Sequence, residues 1–281
     1  MRARSDSEDN GRRTRRTRSF QPWPSRSETC GALWLRVPAE ATPGPEYNRG
    51  KVRLLSGVQL SPRRDQMNEA GRLAVLGAGH VGPVIARLAI RAGFPVAIAT
   101  SGDPEDIALI AELLIPGAQP RWAGEAVADA DIVALAIPLA RFLEIDPGLL
   151  SGKLVVDAMN YWPASDGLLQ AFEDGGSSEI VARRLSGSTV VKALNHIGYH
   201  ELEDLARPAD VTGRRAAGVA GDDPAAVATI AALLDRIGYD PVCLDSLRAG
   251  RVLEPGGPLF GAVLPRPEFE RAVRSDARSL A

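Results

Sequence analysis

From Leu73 onward, short runs of continuous apolar residues alternate with stretches of helical periodicity. The apolar runs at 73–76, 95–100, 120–122, 132–137, 154–157, 189–193, 216–220 and 241–244 predict eight strands. They are apolar throughout rather than alternating, as strands buried on both faces are. Helical patterns between them are the sign of βαβ units and a mostly parallel sheet. The clearest helix is predicted over 224–237. Asp222 or Asp223 suits its cap, Pro224 its first turn and Gly238 its end, and Val227, Ile230, Leu234 and Ile237 form its apolar stripe. After Leu264 the pattern turns polar, and residues 265–281 are expected to be a loose tail.

Composition changes the picture before residue 67. The 281 residues carry 33 Lys+Arg and 35 Asp+Glu, a net charge of −2 that conceals a split. Residues 1–66 hold 14 basic and 7 acidic side chains, whereas 67–281 hold 19 and 28, a net of −9. The first segment has nine Val, Ile, Leu and Phe residues, six prolines and a run of arginines from Arg12 to Arg18. Such a composition predicts a disordered basic extension. A twin-arginine signal needs an apolar stretch after the arginines, but Gln21-Pro22-Trp23-Pro24 follows. A transit peptide should be poor in acids, and Asp6, Glu8 and Asp9 are present. A nucleic-acid arm is a further reading of a basic run; disorder is preferred, and no nucleic-acid partner is expected. Met67 stands six residues before the first strand, which suggests that 1–66 is an over-extended gene start. The expected organisation is 1–66 extension, 67–160 dinucleotide-binding core, 161–264 C-terminal α/β part and 265–281 tail.

Cys30 and Cys243 have no spacing that would imply a disulfide framework or a cysteine-ligated zinc site. The expected compartment is a reducing cytoplasm. No run approaches the roughly 18 apolar residues of a membrane span.

The chemistry begins at the end of the first strand. Gly77-Ala78-Gly79-His80-Val81-Gly82 is a GxGxxG loop with a strand before it and a helical pattern after it. That context makes it a dinucleotide-binding signature and the fold Rossmann-like and doubly wound. Gly77 would permit the tight turn, Gly79 would let a pyrophosphate approach the backbone, and Gly82 would let helix and strand pack closely. The helix N-terminus would offer free N–H groups and positive dipole to the phosphates.

The second strand ends in Thr100-Ser101, which carry no charge and can donate hydrogen bonds to a 2′-phosphate. NADP is therefore expected over NAD. No arginine stands there, and Asp103 would read the ribose if the strand ended later. Ala136-Ile137-Pro138 follows the fourth strand, where backbone without the proline N–H can lie along a cofactor. Asn160, with Tyr161 and Trp162, follows the fifth. Asn160 is expected to orient cofactor or substrate, and the two aromatics either stack on a flat heterocycle or cover the core. Asp157 is expected to hold a loop by accepting backbone N–H bonds. Asn195 and His196 follow the sixth strand and are the candidate substrate contacts, with His196 a candidate proton donor. His80 would cover the pyrophosphate. The three histidines, His80, His196 and His200, have no metal-ligand pattern, and no metal is expected. Arg248 and Arg251 are candidates to meet an acidic coenzyme tail.

In chain order, the glycine loop, Thr100-Ser101, Ala136-Ile137-Pro138, Asp157-Ala158-Met159-Asn160, Val191-Lys192-Ala193-Leu194-Asn195 and Gly221-Asp222-Asp223 resemble the coenzyme F-420-dependent NADP oxidoreductase family of dinucleotide-binding enzymes. The resemblance runs from about Leu73 to Leu264. It implies a single-sheet Rossmann domain with a smaller C-terminal part, and a deazaflavin lying against the nicotinamide to exchange a hydride. In the family a serine or threonine followed by an arginine grips the 2′-phosphate. Thr100 matches the first, and Ser101 stands in place of the arginine.

The leading expectation is an NADP-dependent oxidoreductase with coenzyme F-420 or a similar flat, small-molecule redox partner. One alternative is a reductase of a small imine, carbonyl or acid, with His196 or Lys192 supplying a proton. Another is a non-catalytic module that senses NADP for a partner protein. A homodimer is compatible with either enzyme.

Overall fold

The computed structural model describes residues 71–172 and 175–279; the basic extension expected over 1–66 lies outside the described residues. The first half comprises β1 (Leu73–Leu76), α1 (Val81–Arg91), β2 (Val96–Ala99), α2 (Glu105–Leu114), β3 (Gln119–Pro120), α3 (Ala123–Ala128), β4 (Ile132–Leu135) and α4 (Leu139–Phe142). The second half adds β5 (Leu154–Asp157), α5 (Pro163–Asp166), α6 (Ser177–Arg184), β6 (Thr189–Ala193), α7 (Tyr199–Leu202), β7 (Ala216–Gly221), α8 (Pro224–Ile237), β8 (Asp240–Leu244) and α9 (Arg266–Ser279). One eight-stranded sheet runs in the order β3-β2-β1-β4-β5-β6-β7-β8. Six neighbouring pairs are parallel, and β6–β7 is antiparallel. The first six strands have the order of a doubly wound nucleotide-binding sheet, which reverses direction between β1 and β4. The fold is Rossmann-like. The division expected after residue 160 falls between two paired strands of this sheet, β5 and β6.

Burial explains why the strands are apolar throughout. Along β1, Leu73 and Val75 face one hydrophobic cluster, and Ala74 and Leu76 face another. In β4, Ile132 and Ala134 join the first cluster, and Val133 and Leu135 the second. This is the two-residue period of a pleated strand with a covered layer on each face. Helices α1, α2 and α8 cover one face; α3 and α6 cover the other. Helix α8 has the predicted bounds. Asp223 Oδ1 accepts the Ala226 N–H at 2.8 Å, and Gly238 adopts the left-handed conformation that ends it.

Two predicted strands are shorter at their C-terminal ends. β2 stops at Ala99 and β4 at Leu135, where the backbone leaves the sheet for the loops described below. β3 is only Gln119–Pro120, since Trp122 already precedes α3 as its half-exposed cap. Both edge strands carry a proline, Pro120 in β3 and Pro241 in β8.

The expected loose tail is a correction. Residues 266–279 form α9, and Phe269 is fully buried in a third cluster with Ala216, Ala220, Val242, Leu244, Leu253 and Leu259. Polar residues outnumber apolar ones here. However, Phe269, Ala272 and Val273 fall at i, i+3 and i+4, which is enough for one helical face.

Candidate functional site

The C-terminal ends of β1, β2, β4, β5 and β6 meet at one rim of the sheet, where open α/β sheets bind ligands. Backbone bonds continue the sheet past the strand ends. The Gly77 N–H donates to Ala99 O at 2.8 Å, Ala136 to Leu76 at 2.9 Å and Ala158 to Leu135 at 3.2 Å. The predicted cofactor residues Gly77 to Gly82, Thr100, Ser101, Ala136, Ile137, Pro138 and Asn160 thus follow strands that lie side by side.

The three glycines have distinct physical reasons. Gly77 has φ +119°, and a Cβ added there would lie 2.3 Å from the Ala136 carbonyl oxygen. A Cβ at Gly82 would lie 1.9 Å from the Gly77 oxygen and 3.2 Å from Val75 Cγ1. A Cβ at Gly79 would meet nothing within 4 Å. Gly77 and Gly82 therefore serve the turn and the packing of α1 on β1. Gly79 opens onto free space, as the approach of a pyrophosphate to the backbone requires. Helix α1 has no acidic residue in its first turn and no side chain bonded at its cap, so its first N–H groups and positive dipole end are uncompensated. Ala78 and Val81 pack partly against the core, and His80 is exposed. The His80 ring stacks on Tyr199, with centroids 4.8 Å apart and planes 13° apart, and Tyr199 in turn contacts His200 at 3.9 Å.

At the end of β2, Thr100 Oγ1 accepts the Gly102 N–H at 3.4 Å, and Ser101 is exposed. Asp103 does not follow the strand directly. Its Oδ1 accepts the Glu105 N–H at 2.9 Å and so caps the start of α2. Pro138, exposed and extended in backbone, precedes α4.

The next two strand ends are cross-tied. Asn160 Nδ2 donates to the Asn195 carbonyl at 2.8 Å, and Asn195 Nδ2 donates to Asn160 Oδ1 at 3.0 Å and to the Leu253 carbonyl at 2.7 Å. Asn160 is half-buried, whereas Asn195 is buried. Leu194, between β6 and Asn195, has φ +63°, a left-handed conformation that turns the chain sharply out of the strand. Asp157 is fully buried and takes the role expected of it: its Oδ1 accepts the Met159 N–H at 3.0 Å. Tyr161 covers the core rather than the cleft. It packs on Phe172, and its hydroxyl donates to Gly167 O at 3.1 Å while accepting the Leu169 N–H at 2.8 Å. Trp162 is half-exposed, with an edge contact to Phe260. Arg251 is paired with Glu179 at 2.5 Å, and Arg248 is exposed.

His196 is the main correction among the site residues. It is 1 % exposed, and its Nε2 accepts the Gly218 N–H of β7 at 3.1 Å. Its ring packs on Phe269. Burial lowers its pKa from 6.5 to about 4, so near neutral pH it is an uncharged framework residue and not a proton donor at the rim. Lys192 is likewise 0 % exposed. Sequence reasoning placed both beside a strand end; it carries no signal for which side chains turn inward there.

The burial of His196 has a pH consequence. Lowering the pH from about 7 protonates the imidazole in the unfolded chain well before the folded one. Its stabilising contribution is full above the unfolded pKa and is lost as pH falls through the folded value. Between about pH 7 and pH 4 the wild type should lose about 3 kcal/mol more than His196→Gln, read by urea unfolding at both pH values. Parallel losses in the two proteins would refute the assignment.

Comparison with known proteins follows the same residues. The model of the family "NADP oxidoreductase coenzyme F420-dependent" matches residues 72–161. The metalloreductase STEAP3 of Rattus norvegicus is 27 % identical over 188 residues, which cover 66 % of this chain and 36 % of that protein. The chain thus spans about a third of the length of this relative. A hypothetical protein of Sinorhizobium meliloti has a similar solved structure, with TM-score 0.60 and 28 % identity over 70 % of this chain and 96 % of the other. A candidate F420-dependent NADP reductase of Arthrobacter sp. FB24 has TM-score 0.56 and 25 % identity over 70 % of this chain and all of the other. The family match and the Arthrobacter structure support the family that the sequence resembles.

Proposed function

We propose that this chain is an NADP-dependent oxidoreductase that exchanges a hydride between NADP(H) and a flat, small-molecule partner of the deazaflavin class. The observation that carries the reading is the open space over Gly79 beside an uncompensated helix N-terminus, at the point where strand order reverses. Gly77 to Gly82 would hold the pyrophosphate, and Thr100 and Ser101 the 2′-phosphate. Ala136 to Pro138 and Asn160 would border the nicotinamide half. The bound nucleotide would supply the hydride chemistry, and the protein's share is to bind and orient it and to exclude water.

The burial of His196 and Lys192 favours this reading over reduction of an imine, carbonyl or acid. That alternative relied on these two side chains for a proton, and hydride exchange between two cofactors needs neither. No helix among the described residues is long and apolar enough to cross a membrane, and the reading implies a cytoplasmic setting.

Asp103 is engaged at the start of α2, and the uncharged Thr100 and Ser101 that follow β2 favour NADP over NAD. NADP is expected to raise the thermal midpoint more than NAD at equal concentration, because a ligand stabilises the state that binds it. A larger shift with NAD would mean that an acid reads the ribose after all. Mixing the protein with NADPH and oxidised coenzyme F-420 should bleach the nicotinamide absorbance. Tight NADP binding with no turnover of any redox partner would instead favour a nucleotide-sensing module.

A further inference from the structure

Beneath the Asn160 edge of the site lies a buried charge pair that the proposed reaction does not use. Lys192 and Asp157 are both 0 % exposed, with Nζ to Oδ2 3.4 Å. Taking two charges out of water is costly, and such a pair persists only where further hydrogen bonds complete it. Here they do, and two of them converge on one residue. Lys192 Nζ donates to the Met159 carbonyl at 2.6 Å, while Asp157 Oδ1 accepts the Met159 N–H at 3.0 Å. The backbone of Met159 is thus gripped on both sides by the two members of the pair.

The remaining bonds tie the pair to α6. Asp157 Oδ2 accepts from Ser178 Oγ at 2.5 Å, and Lys192 Nζ lies 3.5 Å from Ser177 Oγ. Glu254, from beyond the 3₁₀ turn Arg248–Leu253, accepts the N–H groups of Ser177 and Ser178 at 2.9 and 3.2 Å and caps the helix from outside. On the other side of Met159, Asn160 engages Asn195, which donates to Leu253 O. Lys192 lies in β6 and Asp157 ends β5; these strands, in the second half of the nucleotide-binding order, run under the nicotinamide half of a dinucleotide.

We infer that Lys192, acting with Asp157, is a positioning residue: the pair fixes the backbone of Met159 and thereby holds Asn160, cross-tied to Asn195, at the edge that borders the nicotinamide half of the bound dinucleotide. The inference rests on the proposed placement of that nucleotide. It goes further in assigning a binding contribution to two side chains that never touch the ligand.

The test compares two probes, NADP and 2′-phospho-ADP-ribose, which lacks the nicotinamide. Single substitutions leave a buried charge unpaired, so the primary variant is the neutral double change Asp157→Asn with Lys192→Met. With folding checked by circular dichroism, calorimetric affinity for 2′-phospho-ADP-ribose should stay within about twofold of wild type, while that for NADP falls about tenfold, the worth of one well-aligned polar contact. Asn160→Ala should reproduce the split. Equal loss of both probes, or loss of neither, would overturn the positioning role. A wild-type protein that binds NADP no more tightly than 2′-phospho-ADP-ribose would overturn the placement of the nucleotide, and the inference with it. If the double variant does not fold, Ser178→Ala removes the hydroxyl on Asp157 Oδ2 without touching a charge. It should give the same split at about threefold, and no split would again overturn the role.

Discussion

Alanine at Gly82 is expected to cost the protein both stability and its dinucleotide. The added methyl would lie 1.9 Å from the Gly77 oxygen, 3.0 Å from the Gly77 carbonyl carbon and 3.2 Å from Val75. The first distance is far inside van der Waals contact, and its partner is backbone that itself sits against Ala136. Either α1 moves away from β1 or the loop moves away from the sheet. Overpacking of this kind costs about 3 kcal/mol or more. Displacing the loop by about 1 Å also misaligns the N–H groups that would meet the phosphates, and about a hundredfold loss of NADP affinity is expected. Gly79→Ala supplies the contrast. With no neighbour within 4 Å of its methyl, its stability should stay within about 0.5 kcal/mol of wild type. Its NADP affinity should nonetheless fall, because the methyl occupies space assigned to the ligand. Urea unfolding and calorimetric titration of both variants check the pair of expectations. Wild-type binding by Gly82→Ala would sink the account of the loop, and wild-type binding by Gly79→Ala would move the pyrophosphate elsewhere.

The second large effect is expected from Phe269→Ala, at about 4 kcal/mol of unfolding free energy. The side chain is fully buried at the end of the sheet, between β7, β8 and the 3₁₀ turn Arg248–Leu253, and it packs on the His196 ring. Truncation would leave a cavity in a cluster of seven buried residues, too small a group to close over it readily. A loss below about 1 kcal/mol in urea unfolding would mean that α9 is only loosely held.

That helix also marks where the sequence was hard to read. The eight strands and α8 were legible because burial on two faces leaves an unbroken apolar run, and because Asp223, Pro224 and Gly238 punctuate a helix chemically. The glycine loop was legible because Gly77 and Gly82 answer steric demands that another residue cannot meet, and Gly79 stands between them at the spacing of the motif. Helix α9 was hidden, since one aromatic and two small apolar residues hold it against a polar background. The reversal of β7 was hidden for another reason: an apolar run reads the same whichever way its strand lies. Inward or outward aim at a strand end was hidden as well. His196 and Asn160 follow neighbouring strands, yet one lies in the core beside Gly218 and the other borders the rim. The grip of Lys192 and Asp157 on Met159 joins positions 35 residues apart through a sheet register that periodicity does not contain.

The prolines at the two margins of the sheet bear on how copies of this chain can associate. Pro120 and Pro241 each leave an edge strand short of one N–H donor, and β3 is only two residues long. An incoming strand would find an interrupted ladder at either margin, which discourages intermolecular sheet growth and the aggregation it seeds. Among the described residues, association through helix and loop surfaces is thereby favoured over addition of a strand at either margin of the sheet.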